Sequence, residues 1–106
     1  MDDNTFEHNF SQLLLYYGEE LEKMSYDEIF NIYKTNKLNN FYSLHKEELI
    51  IGLIGKFVDL LETFKEKDIN ELVNICNKYN IVVEDPNNKY SILLNIMNYV
   101  ANKYKL

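Results

Sequence analysis

The sequence predicts an all-α fold, a compact five-helix domain built from one N-terminal helix and two helix-extension-helix units. Two observations predict it. Apolar residues recur every three or four positions in five separate stretches, which is typical of amphipathic helices around one core. A shift of 43 residues also places residues 24–58 on residues 67–101 without a gap, so the two units are related copies.

The duplication is carried by identical residues and by apolar equivalents. The identical pairs are Glu28/Glu71, Asn31/Asn74, Ile32/Ile75 and Lys46/Lys89. The apolar pairs are Ile29/Leu72, Leu38/Ile81, Leu49/Ile92, Ile50/Leu93, Leu53/Ile96 and Phe57/Val100. We therefore divide the single domain, residues 1–106, into an acidic N-terminal helix (1–24), a first unit (25–63) and a second unit (67–104).

The first helix is expected to run from about Thr5 to Lys23. Asn4 and Glu7 have the spacing of a capping box at its start. Its apolar stripe consists of Phe6, Phe10, Leu13, Leu14, Tyr17, Leu21 and Met24. Steps of three and four residues place these side chains on one helical face, which should pack against the two units.

The first unit should contain a short helix, a connector and a long helix. Ser25 and Glu28 form a capping box that predicts a helix over residues 26–35. Asparagines then favour a connector over residues 36–42. Ser43 is expected to cap the third helix, whose wide apolar face predicts a central, largely buried position.

The second unit should repeat this plan with different start and stop signals. Asp68 is expected to cap the fourth helix, and Asn80 to end it. Residues 81–83, Ile-Val-Val, should form an extended segment laid across the helices. Asp85 followed by Pro86 is typical of a helix start, so the fifth helix is expected to begin there.

Charge is distributed unevenly along the chain. The formal net charge is −6, and residues 1–23 hold six acids against one lysine, whereas the two units are nearly neutral. Arginine is absent, which removes the forked donor best suited to phosphate and guanine. This balance favours a protein partner over bare nucleic acid.

The composition gives little support for catalysis. His8 and His45 are far apart in sequence, and no nucleophile motif, phosphate-binding glycine loop or metal-ligand spacing accompanies them. Cys76 occupies a core-facing helical position, which predicts a buried, inert thiol in a reducing compartment. The apolar runs are too short to cross a bilayer. We therefore expect a cytoplasmic, non-enzymatic protein without membrane association, cofactor or metal.

Two stretches of the chain resemble a known structural family. Residues 37–54, Lys-Leu-Asn-Asn-Phe-Tyr-Ser-Leu-His-Lys-Glu-Glu-Leu-Ile-Ile-Gly-Leu-Ile, resemble the helix-extension-helix unit at the N-terminus of transcription terminator Rho. Residues 69–96 are similar to SAP and LEM motifs, in which an extended loop precedes a Lys-x-x-apolar-apolar helix start, here residues 89–93.

The resemblance implies a small binding module, often associated with nucleic acid and protein-binding in LEM-type relatives. It implies Lys46 and Lys89 as matched basic positions, with His45 where the Rho-type pattern has a basic residue. The sequence departs from the pattern before each extended segment. Lys37 and Asn80 stand where a glycine is common.

Candidate ligand-binding residues surround the first connector, with one more in the second copy. Lysines can contact phosphate, and a tyrosine ring can stack on a base or pack on a protein. The candidates are Lys34, Lys37, Tyr42, His45, Lys46 and Lys89. An ordinary solvated rim of lysines is the alternative interpretation.

Two further surfaces could mediate protein contacts. Glu19, Glu20 and Glu22 form a candidate acidic docking face for a basic protein, and a purely solubilising face is the alternative. Tyrosine suits interfaces, so a tyrosine-rich surface could support a homo-oligomer. That surface includes Tyr16, Tyr90 and Tyr99.

These observations favour a helical binding module that acts through protein contacts within nucleic-acid-related machinery. Two alternatives stay open. The first is direct DNA or RNA binding through the first unit. The second is a small acidic inhibitor of a nucleic-acid enzyme, of the antitoxin, immunity or phage anti-defence type.

Overall fold

The computed structural model describes residues 1–38 and 45–104, which form five α-helices in the predicted order. They are α1 (Asp3–Glu22), α2 (Tyr26–Thr35), α3 (Lys46–Lys65), α4 (Ile69–Lys78) and α5 (Lys89–Lys103). The prediction of an all-α, five-helix fold is confirmed.

The three long helices pack against one another, and each short helix packs on one of them. α1, α3 and α5 are mutually in contact, while α2 packs on α3 and α4 on α5. α1 and α5 run parallel, because Phe6 contacts Tyr90 at one end of the pair and Tyr17 contacts Tyr104 at the other. α3 runs antiparallel to both, since its first residue, Lys46, meets the last residue of α1.

An aromatic cluster lies where these helices meet. The Phe57 ring of α3 stacks on Phe10 and Tyr17 of α1, with centroid distances of 5.7 Å and 4.5 Å. All buried side chains in the described ranges are apolar or aromatic, and they form one cluster that spans every helix. Cys76 belongs to this core, as predicted, and its burial raises the pKa of the thiol.

Two of the predicted helix starts are confirmed and two are wrong. Ser25 and Asp68 each accept a hydrogen bond from the backbone N–H three residues later. α1, however, begins before Asn4, because the Asp2 carboxylate accepts from the Thr5 N–H at 2.7 Å. This bond lowers the pKa of Asp2. A charged carboxylate at that position satisfies a free N–H and favours the positive end of the helix dipole.

The prediction that Asp85 and Pro86 start the fifth helix is also wrong. The Asp85 carboxylate accepts from Asn87 N–H, two residues on, which closes a turn instead of a helix. The cap is Asn88, whose side chain accepts from the Ser91 N–H at 3.1 Å. The predicted cap of the third helix, Ser43, lies outside the described residues.

In the structure, the 43-residue repeat also includes α1, which the sequence comparison did not include. Shifted by 43 residues, α1 coincides with α3 at both ends, and α2 coincides with α4. The N-cap positions of the long helices, Asp2, His45 and Asn88, have the same spacing. α1 is therefore a third copy of the long helix, and α3 belongs both to an α1–α2–α3 set and to an α3–α4–α5 set.

The short helices also end alike. Lys37 and Asn80, the two positions at which the resemblance predicts glycine, both have a left-handed φ of 57°. The next residue in each copy donates to a carbonyl five residues back, which gives the hydrogen-bond pattern of a Schellman motif. The chain thus leaves α2 and α4 in the same direction.

The copies differ in how the short and long helices fit together. A Cβ on Gly52 would lie 2.9 Å from Cε2 of the Tyr33 ring, so a side chain there would collide with this ring. The equivalent pair in the second copy is Asn95 and Cys76. A large residue thus lies against glycine in the first copy, whereas the equivalent positions of the second copy hold a small residue and a larger one.

We expect Gly52→Ala to destabilise the protein and Gly55→Ala to stabilise it. Alanine in a helix is favoured over glycine by about 1 kcal/mol, and a Cβ on Gly55 meets nothing within 4 Å. At Gly52 the clash with the Tyr33 ring costs about 1–3 kcal/mol, which exceeds that gain over most of this range. Urea unfolding of the two variants tests this, and equal stabilisation by both would contradict it.

A second prediction concerns alkaline pH. Burial, with a smaller effect of Tyr104, raises the pKa of Tyr17 to about 12, whereas an unfolded tyrosine has a pKa of about 10. Between these values the unfolded chain has lost a proton that the folded chain keeps. The free energy of unfolding should therefore fall by about 2 kcal/mol from pH 10 to pH 12. In Tyr17→Phe this part of the fall should be missing when urea unfolding is compared with wild type.

Candidate docking groove

The identical lysines of the repeat bind backbone carbonyls. Lys46 Nζ donates to the Glu22 carbonyl at 2.8 Å, and Lys89 Nζ donates to the Lys65 carbonyl at 2.7 Å. The acceptors are themselves 43 residues apart, at the last residues of α1 and α3. Each lysine thus satisfies a carbonyl that the end of a helix leaves without an intrahelical partner. Sequence alone shows the lysine but not this acceptor.

The other candidate residues of the first connector each have their own surroundings. Lys34 Nζ lies 5.7 Å from the centre of the Phe30 ring. Lys37 is exposed in its left-handed turn, and His45 is the exposed N-cap of α3, where its side chain makes no capping hydrogen bond. Tyr42 lies outside the described residues.

Lys89 is remote from this group. It lies beside Lys65 at the C-terminal end of α3, whereas Lys46 is at the N-terminal end. A helix of this length, 20 residues, measures about 30 Å. The predicted basic set is therefore not one continuous surface.

The acidic residues of α1 divide into two groups. Glu20 Oε1 pairs with Lys23 Nζ at 3.1 Å. Glu19 and Glu22 are exposed and line a groove between α1 and α3. The structure thus places two of the three residues of the predicted acidic face at one site.

The groove has an apolar wall and an open side. It has a volume of about 610 Å³ and is lined by Ser11, Leu14, Leu15, Gly18, Glu19, Glu22 and Ile54. A second depression of about 460 Å³ adjoins it and shares Glu22 and Ile54. That depression is further lined by Lys46, Glu47, Ile50 and Ile51. We call the two together the α1–α3 groove.

Two large aliphatic side chains in the groove are exposed to solvent. Leu15 is 65% exposed and Ile51 is 69% exposed. Leu15 lies on α1 and Ile51 on α3, and the partly buried Ile54 lines both depressions. A contiguous exposed apolar patch with a polar rim is typical of a protein interaction site.

The rim of the groove is acidic. Glu19, Glu22 and Glu47 stand along it, and the cation that shares the lining, Lys46, has its ammonium bound to a backbone carbonyl. Carboxylates at this edge favour a cationic partner. The sequence signal that could have revealed the groove is the pair Leu15 and Ile51, since neither belongs to the main buried stripe of its helix.

The tyrosine-rich surface predicted from the sequence is not one patch. The Tyr16 hydroxyl donates to Asn102 near the C-terminal ends of α1 and α5. Tyr90 lies at the opposite end of this helix pair, and Tyr99 packs against Tyr79, the residue that follows α4. A hydrogen bond to Asp3 raises the pKa of Tyr90.

Comparison with known proteins returns no match of the chain to a family model, a curated protein or a solved structure. Among residues 1–38 and 45–104, no group of three or more side chains is arranged to hold a metal ion. No helix within these ranges combines the length and hydrophobicity needed to cross a membrane.

The repeat lysines provide a testable structural prediction. Lys89→Met should lower the free energy of unfolding by about 1 kcal/mol, because the Lys65 carbonyl loses its charged donor. Lys46→Met should cost less, since its hydrogen bond is more exposed. Lys103→Met, an exposed change on α5, should alter the free energy of unfolding by only about 0.3 kcal/mol. Thermal and urea unfolding measure all three, and equal effects would contradict the assignment.

Proposed function

We propose that this protein is a non-enzymatic helical binding module whose α1–α3 groove binds a basic amphipathic segment of a partner protein. The exposed Leu15 and Ile51 in an acid-rimmed groove are the observation that carries this proposal. The resemblance of the two units to helix-extension-helix modules supports a partner within nucleic-acid-related machinery.

Burial of the apolar wall supplies the affinity. Covering a Leu or Ile side chain completely is worth about 1.5–3 kcal/mol. Since about two thirds of Leu15 and of Ile51 is exposed, each has roughly 1–2 kcal/mol of this gain to offer a partner. Leu14, Ile50 and Ile54 form the base of the groove, so an apolar side chain would enter a preformed surface.

The acidic rim supplies selectivity. Glu19, Glu22 and Glu47 would attract lysine or arginine side chains that flank the apolar face of the partner. Charges at the edge of an interface increase the association rate more than the affinity, and salt screens them. We therefore expect binding to weaken, but not vanish, as the salt concentration rises.

The alternatives have less support from the described side chains. Direct nucleic-acid binding would rely on Lys34 and Lys37, since Lys46 and Lys89 already bind carbonyls. The inhibitor hypothesis uses the same acidic groove and differs in making the basic partner an enzyme. Salt-sensitive, tight binding of DNA or RNA by the isolated protein would overturn the proposal.

The proposal is tested with an 18-residue helical peptide that carries leucines on one face and lysines on both flanks. Isothermal titration calorimetry should show binding to the wild-type protein. In Leu15→Ser and Ile51→Ser the dissociation constant should rise about tenfold or more, as expected for central apolar contacts. Both residues are exposed, so circular dichroism should show an unchanged fold.

Two controls make the result specific. Val82→Ser removes a side chain that is 77% exposed on the α4–α5 connector, away from the groove, and should leave the affinity unchanged. A peptide with glutamate in place of every lysine should not bind. If the peptide fails to bind, or binds wild type and both groove variants equally, the proposed function is wrong.

A further inference from the structure

We infer that the α1–α3 groove takes the bound helix in one direction, antiparallel to α1 and parallel to α3, with its N-terminus beside Glu22 and Glu47. This inference rests on the proposed function and deepens it. It follows from the repeat, because the protein already contains a helix bound at the equivalent position of the next copy.

The equivalence of the two helix pairs is structural. α1 and α3 are related by the same lysine-to-carbonyl contact as α3 and α5, at distances of 2.8 Å and 2.7 Å. The surface between α3 and α5 that corresponds to the groove is covered by α1, which packs on both helices. α1 packs on the α3–α5 pair of the second copy. A helix packed in the same way on the α1–α3 pair of the first copy would lie in the groove.

Side-chain burial shows the same relation. The groove residues Leu14, Ile51 and Ile54 correspond to Phe57, Leu94 and Met97. Phe57 and Met97 are buried and Leu94 is half-buried, whereas Leu14 and Ile54 are half-buried and Ile51 is exposed. These positions are apolar in both copies. The copies differ in that α1 packs over them in the second copy and no helix of the described residues does so in the first.

The direction of the helix comes from α1. α1 runs antiparallel to α3 and parallel to α5, as its end-to-end contacts show. In the first copy, α1 takes the place of α3 and α3 takes the place of α5. A bound helix in the equivalent position is therefore antiparallel to α1 and parallel to α3. The N-terminus of the bound helix then lies at the C-terminal end of α1 and the N-terminal end of α3.

Charge supports this direction independently. α1 has no basic residue in its last turn, and α3 has Glu47 and Glu48 in its first turn. At this end of the groove the carboxylates of Glu22 and Glu47 outnumber the one ammonium among the described lining residues, that of Lys46, so the end is negative. The N-terminus of a helix carries about half a positive charge, so it is favoured at this end and its C-terminus is not.

The repeat also predicts where the bound helix carries cations. Lys65, which corresponds to Glu22, pairs with Glu7 of α1 at 3.7 Å. Tyr90, which corresponds to Glu47, hydrogen-bonds Asp3. In the first copy, Glu22 and Glu47 thus stand where the second copy has the ammonium of Lys65 and the hydroxyl of Tyr90. The bound helix should have lysine or arginine at two positions four residues apart, where α1 has Asp3 and Glu7.

A designed 20-residue peptide tests these points. It has lysine at positions 1 and 5, leucine at positions 4, 8, 11, 15 and 19, matching the stripe of α1, and alanine or glutamine elsewhere. Two forms of the peptide are made, one with a nitroxide at the N-terminus and one with a nitroxide at the C-terminus. The single cysteine of the protein is buried, so it should not react with the label. Amide spectra of the ¹⁵N-labelled protein then report which end lies where.

The N-terminal nitroxide should broaden the amide signals of Glu22 and Glu47. The C-terminal nitroxide should instead broaden those of Asp3 and Asp59, which lie at the start of α1 and in the C-terminal half of α3. The reverse pattern, or equal broadening at both ends, would overturn the direction and leave the proposed function standing. If the peptide does not bind at all, the proposed function itself fails.

A charge exchange tests the register. Glu22→Lys should weaken binding of the peptide about fivefold or more, and glutamate at peptide position 5 should restore affinity for this variant. Glu84→Lys, an exposed change on the α4–α5 connector, is the matched control and should change affinity less than twofold. If Glu22→Lys weakens binding but the exchanged peptide does not restore it, the register is wrong.

Discussion

The alternating packing of the three long helices is the constraint that organises the structure, and a contact from a lysine ammonium to the last carbonyl of the preceding long helix marks each junction. This contact joins the start of α3 to the end of α1 and the start of α5 to the end of α3. Each long helix lies antiparallel to the one before it, and α1 lies alongside α5. The Phe57 ring of α3 stacks on Phe10 and Tyr17 of α1 within the shared core. Burial of these apolar side chains stabilises the array, and the repeated lysine marks its register.

Within this repeated frame, the two copies have different side chains at equivalent positions. Tyr33 lies against Gly52 in the first copy, whereas the equivalent positions of the second copy hold Cys76 and Asn95. Lys65 supports a helix that carries an acid, while Glu22, its equivalent, faces the open groove. Similar backbone geometry thus serves a closed internal interface in one place and an acidic, accessible surface in the other.

Much of the fold could be predicted from sequence because it depends on local signals. The five apolar stripes and the caps at Ser25 and Asp68 act over a few residues, and the structure contains them as expected. The errors arose where several Asp and Asn residues are adjacent, as before Lys89. There each of them can cap, and tertiary packing selects one.

The groove could not be predicted in the same way. The exposure of Leu15 and Ile51 depends on how α1 and α3 lie together, and a single helix does not encode it. Lys46 and Lys89 were assigned to ligand binding as the matched basic positions of the two units. Their carbonyl acceptors lie 24 residues away in sequence, and no local pattern reveals them. Glu19 and Glu22, predicted as part of an acidic docking face, are exposed, but the sequence did not indicate the apolar half of the groove beside them.

The position of α3 in both copies has a consequence for how the protein unfolds. In many repeat arrays each unit has its own helices, so terminal units can fray while the others persist. Here neither copy can lose α3 without the other copy losing it as well. The two halves cannot melt separately, and the chain should behave as one cooperative unit with a single transition. A duplicated sequence has in this way produced an indivisible domain.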